Sequence, residues 1–349
     1  MNRGNDGTTV EVLTQIWQRV LQRSPINSGD SFFDLGGTDP LADSLFAEIA
    51  QVCGRELPSA TIRYAPTIAA LADLLGQPIL PRFSPFVQLK TGSEKPPIFI
   101  APGLGGRVNF FQLAKHIRTG HPIYGIQSKG ADGMEEPLDR VEDMAKFYLD
   151  ALKELQPYGP YILIGYSFGG LLALEMAQRL SDEQGDVALL VLIDTYPHPR
   201  FFPPDQRLQL IVKRMRSRIS LMKQLPISSA LSHFVRALER RLQFAGAHPR
   251  TLSSETSRLS FAQTLFRVEI SDFVALAHYR PRFYRGTIRF VTPETDPYFP
   301  SDPSAVWKGL AAELEVEIVP GDHIGMVTAH FESLAAVLTR YVEEAVDTK

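Results

Sequence analysis

An α/β fold is what the sequence predicts: a mostly parallel sheet interrupted by a helical lid, with a small all-helical bundle in front of it. Three observations lead there. From Ile98 onward, short apolar runs alternate with amphipathic helical stretches, the pattern of βαβ units. Between Pro199 and His278 the alternation stops and only helical patterns remain. Before Gly76, apolar residues recur at helical spacing.

The front bundle is expected over residues 8–76. Val10, Leu13, Ile16, Trp17, Val20 and Leu21 mark a first helix. A second runs from Leu41 through Ile49, and a third begins near Thr67, with Ile68, Leu71, Leu74 and Leu75 on one side. Residues 77–96 hold Pro78, Pro81, Pro85, Gly92 and Pro96, a breaker-rich linker. Its apolar residues, Phe86 and Val87 among them, place part of it on the next domain. That domain is expected over 97–346, with the lid at about 199–278. Its strands are read at Ile98–Ala101, Ile123–Ile126, Tyr161–Gly165, Ala188–Asp194, Thr287–Val291 and Leu314–Val319.

Composition narrows the function classes. A chain of 349 residues has room for about two domains. With 44% hydrophobic and 21% charged residues it is an ordinary globular chain with a sizeable core. A net charge of −3 gives no global reason to expect nucleic acid or an anionic membrane as partner. Cys53 is the single cysteine, so no internal disulfide forms and no metal-ligand spacing exists; it reads as a small buried hydrophobe. Met1–Thr9 is polar, unlike a signal peptide, and no apolar stretch is long enough to span a bilayer. A cytoplasmic protein is expected, without metal. The lid is basic, with Lys213, Arg214, Arg216, Arg218, Lys223, Arg236, Arg240 and Arg241 facing few acids. A solvated helical face is one reading of these cations, and a docking surface for an acidic partner or for phosphate groups is the other.

The sharpest local signal is Gly165-Tyr166-Ser167-Phe168-Gly169-Gly170, between the apolar run ending at Ile164 and the helical run Leu171–Leu180. A G-x-S-x-G pattern on a strand-to-helix turn strains the serine backbone and lifts its oxygen above the sheet, at a helix N-terminus that favours a developing anion. Ser167 is therefore the candidate nucleophile. A hydroxyl needs a base, and the base needs an orienting acid. In α/β hydrolases the chain order is serine, acid, histidine. Asp194, after the strand ending at Ile193, and Asp296, in Pro293–Pro297, both satisfy it. His323, directly after the last strand, is favoured as base over His330, which lies in a helical pattern. Oxyanion donors are expected from the backbone N–H of Phe168 and, in the glycine-rich loop Ala101–Gly106, of Leu104.

Taken together, Pro97–Gly103, Gly165–Gly170, Leu190–Asp194 and Val319–His323 resemble the thioesterase domains of nonribosomal peptide and polyketide synthases. The resemblance implies an α/β-hydrolase sheet with a helical lid, and Asp194 rather than Asp296 as the acid. It implies release of an acyl, peptidyl or polyketide chain from a carrier-protein thioester, or from acyl-coenzyme A, by hydrolysis or cyclisation through an acyl-serine. The front bundle resembles the carrier domain of the same synthases through Ser31-Phe32-Phe33-Asp34-Leu35-Gly36-Gly37. Two residues after the paired glycines the family has the serine that bears phosphopantetheine; here that position is Asp39. A carboxylate cannot be the hydroxyl that takes the arm, so no cofactor is expected. Thr38 is one place early and Ser44 five places late. Asp39 suits a helix N-cap and Pro40 the first helical position, so the local fold is expected to survive the loss. A discrete editing thioesterase, an acyltransferase and a non-catalytic docking scaffold are the competing readings.

Overall fold

The computed structural model describes residues 6–63, 65–77, 84–106, 110–224, 261–295, 299–300 and 302–347. The chain divides into two compact units. One is Met1–Val87 with Gln127–Pro137 and Glu255–Val268; the other is Gln88–Ile126 with Leu138–Ser254 and Glu269–Lys349.

In the first unit, α1 (Asp6–Leu21), α2 (Asp39–Cys53) and α3 (Ile68–Gly76) form the bundle. Leu13, Trp17, Leu45, Ile49, Ile68 and Leu71 are completely buried in one cluster, which also includes Leu265. Phe32 lies in the same core, edge-on to Trp17 with ring centroids 5.4 Å apart. The paired glycines serve this packing. Gly36 has φ +93°, a left-handed conformation that costs an L side chain about 1–2 kcal/mol. At Gly37 a Cβ would overlap the Phe32 ring. α2 is capped by Thr38, one residue earlier than the expected Asp39: Thr38 is extended (φ −121°, ψ 166°), and its carbonyl accepts from Ala42 N–H at 2.9 Å. Asp39 is thus the first helical residue and Pro40 the second, where a missing N–H is still harmless. Thr67 caps α3 through its hydroxyl, which accepts from Ala70 N–H at 3.1 Å. Cys53, read as buried, is half-buried at the end of α2.

The second architecture is a seven-stranded sheet with strands β1 (Phe86–Lys90), β2 (Ile98–Ala101), β3 (Ile123–Ile126), β4 (Tyr161–Tyr166), β5 (Val187–Ile193), β6 (Tyr284–Pro293) and β7 (Ala311–Val319). Their order is β1-β3-β2-β4-β5-β6-β7, and the pairs from β3 to β7 are parallel. β1 falls inside the stretch read as a linker; its five residues, none fully buried, lack an apolar run. The helices in chain order are α4 (Phe111–His116), α5 (Val141–Leu155), α6 (Phe168–Asp182), α7 (Pro204–Gln224), α8 (Phe261–His278), α9 (Pro303–Trp307), α10 (Gly325–Thr328) and α11 (Phe331–Asp347). β2 and β4 are buried at every residue, as parallel strands covered on both faces must be. From β2 the chain turns one way to β3 and then returns to the other side at β4. The strand order reverses there, and the carboxyl ends of strands at such a reversal are where α/β sheets bind ligands.

Residues 199–278 carry α7 and α8, and no strand among the described residues. Arg236, Arg240 and Arg241 of the basic reading lie outside the described residues, as do the side chains of Arg214, Arg216, Arg218 and Lys223. Lys213 donates to the carbonyl of Phe299 at 2.7 Å. No described helix is long and apolar enough to cross a membrane.

The packing at Gly37 generates a prediction. Gly37→Ala forces its methyl into the Phe32 ring and should lower the stability of the bundle by about 1–3 kcal/mol, the usual cost of overpacking. Urea denaturation followed by the emission of Trp17 would register it; an unchanged midpoint would refute the role given to Gly37.

Candidate active site

The turn at Ser167 is built by close backbone approaches. Ser167 follows β4 with φ 54° and ψ −121°, a conformation that a non-glycine residue seldom adopts. Its neighbours leave no room for side chains. A Cβ at Gly165 would collide with the backbone of Gly169 and Gly170, one at Gly169 with the carbonyls of Ala101 and Pro102, and one at Gly170 with the Thr195 side chain. Ser167 N–H donates to Ile193 O at 2.8 Å, so the turn is held to the end of β5. α6 begins at Phe168, which directs the positive end of a 15-residue helix toward Ser167.

Asp194 follows β5 in the same register and is fully buried. It too has positive φ, 42°, in the region that aspartate tolerates better than most residues. Its N–H donates to Val291 O at 2.8 Å, and Trp307 Nε1 fixes the next carbonyl, that of Thr195, at 3.1 Å. His323 sits in the loop after β7, and its Nδ1 lies 2.6 Å from Asp194 Oδ2. With the aspartate accepting, Nδ1 carries the proton and Nε2 is left as the basic nitrogen. Asp322 shapes that loop by accepting from the N–H groups of Ile324 and Gly325 at 3.2 and 2.7 Å.

Two aromatic rings hold the imidazole. Tyr166 stacks on His323 with centroids 4.9 Å apart and planes inclined by 24°, and its hydroxyl donates to the His323 carbonyl at 2.7 Å. Phe299 lies 5.3 Å from the imidazole and stacks in turn on Tyr196. His330 is exposed, just before α11, and Asp296 lies outside the described residues.

The loop after β2 reaches Ser167 through Gly103. A Cβ there would be 3.4 Å from Ser167 Cβ and 3.1 Å from the Tyr166 ring. Leu104 begins a short 3-10 turn, Leu104–Gly106, closed by Gly106 N–H to Gly103 O at 3.0 Å. Gly105 N–H points elsewhere and donates to Asp272 Oδ2 at 2.8 Å. Tyr166, Gly103, Phe299 and Asp272 are neighbours of the site that sequence reasoning did not single out. The first two stand inside the quoted motifs, where the serine and leucine drew attention instead. Phe299 and Asp272 carry no local signal. Among the described residues no cluster of His, Cys, Asp and Glu is arranged to hold a metal.

A strained serine after a central strand, a helix N-terminus behind it, and a buried aspartate on the next strand bonded to a histidine are the equipment of a serine hydrolase. The thioesterase domain family matches residues 96–341. The chain belongs to the thioesterase domain family. In front of this thioesterase domain, residues 11–75 match the phosphopantetheine attachment site family, so a carrier domain precedes it. The chain is 31% identical over 321 residues to a dimodular nonribosomal peptide synthase of Bacillus subtilis (strain 168), over 88% of this chain and 13% of that protein. It is 38% identical over 188 residues to the indigoidine synthase of Streptomyces lavendulae, over 53% of this chain and 15% of that protein. The chain thus spans a small fraction of the curated relatives it matches. Among solved structures, a holo four-domain nonribosomal peptide synthetase, AB3403, superposes with a TM-score of 0.57 at 22% identity, over 95% of this chain and 26% of that one. BorB, a type II thioesterase from the borrelidin biosynthetic cluster, superposes with a TM-score of 0.50 at 18% identity, over 73% of this chain and 96% of that one. These likenesses are of fold, that of the α/β-hydrolase thioesterases.

The clamp of Tyr166 on His323 is testable. Tyr166→Phe keeps the stacked ring and removes the hydrogen bond to the His323 carbonyl. Thioesterase turnover should fall by roughly 5- to 30-fold, what a 1–2 kcal/mol loss of positioning gives, and Tyr166→Ala should lose more. Equal, wild-type rates in both variants would remove Tyr166 from the site.

Proposed function

We propose that the chain is a chain-releasing thioesterase that acts on acyl or peptidyl thioesters of a carrier protein or of coenzyme A, with Ser167, Asp194 and His323 as its catalytic triad. The observation that carries the proposal is the 2.6 Å contact of His323 Nδ1 with the buried Asp194, in a thioesterase domain whose strained Ser167 is hydrogen-bonded to the strand leading to that aspartate. His323 Nε2 takes the Ser167 proton as Oγ bonds to the thioester carbonyl carbon. The N–H groups of Phe168 and of Leu104, next to the Gly103 that lies against Ser167, stabilise the oxyanion. The C–S bond then breaks, His323 returns the proton to the leaving thiolate, and an acyl-Ser167 ester remains. Water, activated by the same histidine, releases the acid; a hydroxyl or amine of the chain itself would release a ring. Asp194 keeps the imidazole in the tautomer this needs and balances its transient charge.

The carrier domain does not fit the phosphopantetheine arm. Attachment needs a hydroxyl, and Asp39 offers a carboxylate at the start of α2. Ser44 lies further along that helix and donates to Pro40 O at 3.2 Å. Gly36 and Gly37 still serve the core of the domain, so its architecture is kept without its attachment chemistry. The substrate therefore arrives on another carrier or on coenzyme A, which also favours an editing role on stalled chains. A cytoplasmic setting accords with the lone thiol of Cys53.

Two outcomes are expected. Ser167→Ala should lower turnover of acyl thioesters by about 10⁴–10⁶-fold and abolish the acyl adduct in intact-mass spectra; unchanged turnover would overturn the mechanism. Incubation with a broad-range phosphopantetheinyl transferase and coenzyme A should leave the wild-type mass unchanged, while Asp39→Ser gains the arm. A wild-type protein that gains it contradicts the reading of Asp39.

A further inference from the structure

The loop that follows β2 carries one of the proposed oxyanion donors, yet three of its four residues from Gly103 to Gly106 are glycines, with no side chains to anchor it. Gly105 has φ +68° and Gly106 φ +58°. Such a segment is entropically free in the unfolded chain and easily displaced in the folded one, because glycine has the widest conformational choice. A preorganised oxyanion site cannot tolerate that freedom, since its benefit comes from dipoles already in place. Backbone bonding must restrain the loop. One restraint is local, Gly106 N–H to Gly103 O. Another comes from 167 residues away, where Asp272 Oδ2 on α8 accepts from Gly105 N–H at 2.8 Å.

Asp272 is a peculiar choice for this position. It is buried, and no lysine or arginine pairs with it among the described residues. An apolar side chain would pack there without the cost of removing a carboxyl from water, so the acceptor is what the site gains. Burial pushes the carboxyl up to about 8, against the Gly105 hydrogen bond, which lowers it, while Glu269 one turn away raises it further. At neutral pH the group is therefore mostly uncharged. A neutral carboxyl still accepts from Gly105 N–H through its carbonyl oxygen.

We propose that Asp272 is a positioning residue: by accepting from Gly105 N–H it fixes the Gly103–Leu104 stretch against Ser167 and makes α8 of the lid a structural part of the oxyanion site. The proposal rests on the thioesterase reading given above. It concerns geometry around the reacting carbonyl, so it acts on kcat more than on substrate affinity.

The test compares Asp272→Asn, which keeps an acceptor oxygen, with Asp272→Leu and Asp272→Ala, which have none. Ala guards against a Leu variant that fails to fold. Steady-state kinetics use a small acyl thioester, and hydrogen–deuterium exchange reads the amides of the loop without any need for activity. Asp272→Asn should stay within about threefold of wild-type kcat. The Leu and Ala variants should lose about 10- to 100-fold in kcat, below the 10²–10³ of a deleted oxyanion donor, with KM changed by no more than about twofold. Gly103–Gly106 amides should exchange faster in those two variants only, with β2 unaffected. Wild-type kcat and loop exchange in a folded Leu or Ala variant, or an equal loss in Asp272→Asn, would overturn the proposal. A wild-type protein that cleaves no thioester and whose Ser167 resists a fluorophosphonate would instead sink the thioesterase reading, and the exchange data alone would then decide whether Asp272 holds the loop.

Discussion

The hydrogen bond from Ser167 N–H to Ile193 O is the constraint around which the rest is arranged. It extends the parallel pairing of β4 and β5 one residue past Tyr166 and Ile193, the last partners in register. Ser167 and Asp194 therefore leave the sheet from the same level on adjacent strands. Both then turn through positive φ, one lifting a hydroxyl and the other a carboxylate out of the sheet. Strain of this kind costs on the order of 1–3 kcal/mol per residue and survives only where the surroundings over-determine it. Here they do: Gly165, Gly169 and Gly170 admit the turn, and Thr195 and Trp307 lock the acid loop.

From that ledge the remaining parts follow by contact. β6 lies beyond β5 and receives Asp194 N–H on Val291. β7 lies beyond β6, and its following loop brings His323 back across to the aspartate. Tyr166, the residue before Ser167, closes the circuit by stacking on the imidazole and donating to the His323 backbone carbonyl. One short peptide thus joins the Ser167 turn to the loop of His323, 156 residues apart in sequence. The imidazole hydrogen bond to Asp194 Oδ2 offsets part of the hydration the buried carboxylate has lost.

Much of this was legible in the sequence because it is written in local chemistry. The buried strands are unbroken apolar runs, and glycine spacing around Ser167 is a steric requirement that leaves few alternatives. Asp194 stands immediately after such a strand and His323 in the loop just past β7, so their level at the carboxyl end of the sheet could be read, though their 2.6 Å separation could not. What escaped has physical causes. β1 is short and only partly buried, and proline-rich surroundings disguise it. The N-cap of α2 fell at Thr38 because the chain there is already extended, and both Thr38 and Asp39 have the right chemistry for a cap. Asp272 is one acid on an amphipathic helix, which in sequence looks like any solvated carboxylate. Only tertiary packing turns it inward. The pairing with Gly105 spans nearly half the chain and has no periodic trace.

The Asp272–Gly105 bond also bears on how such enzymes could be re-engineered. An exchange of the helical insertion at residues 199–278 would carry α7 and α8 together. A graft that ends before α8 leaves the bond intact. One that replaces α8 must bring an acceptor to the same helical position, or it will bury an amide with no oxygen to meet it, at a cost of about 1–3 kcal/mol. The boundary of the exchangeable module is set by one hydrogen bond inside a helix and not by the ends of the insertion.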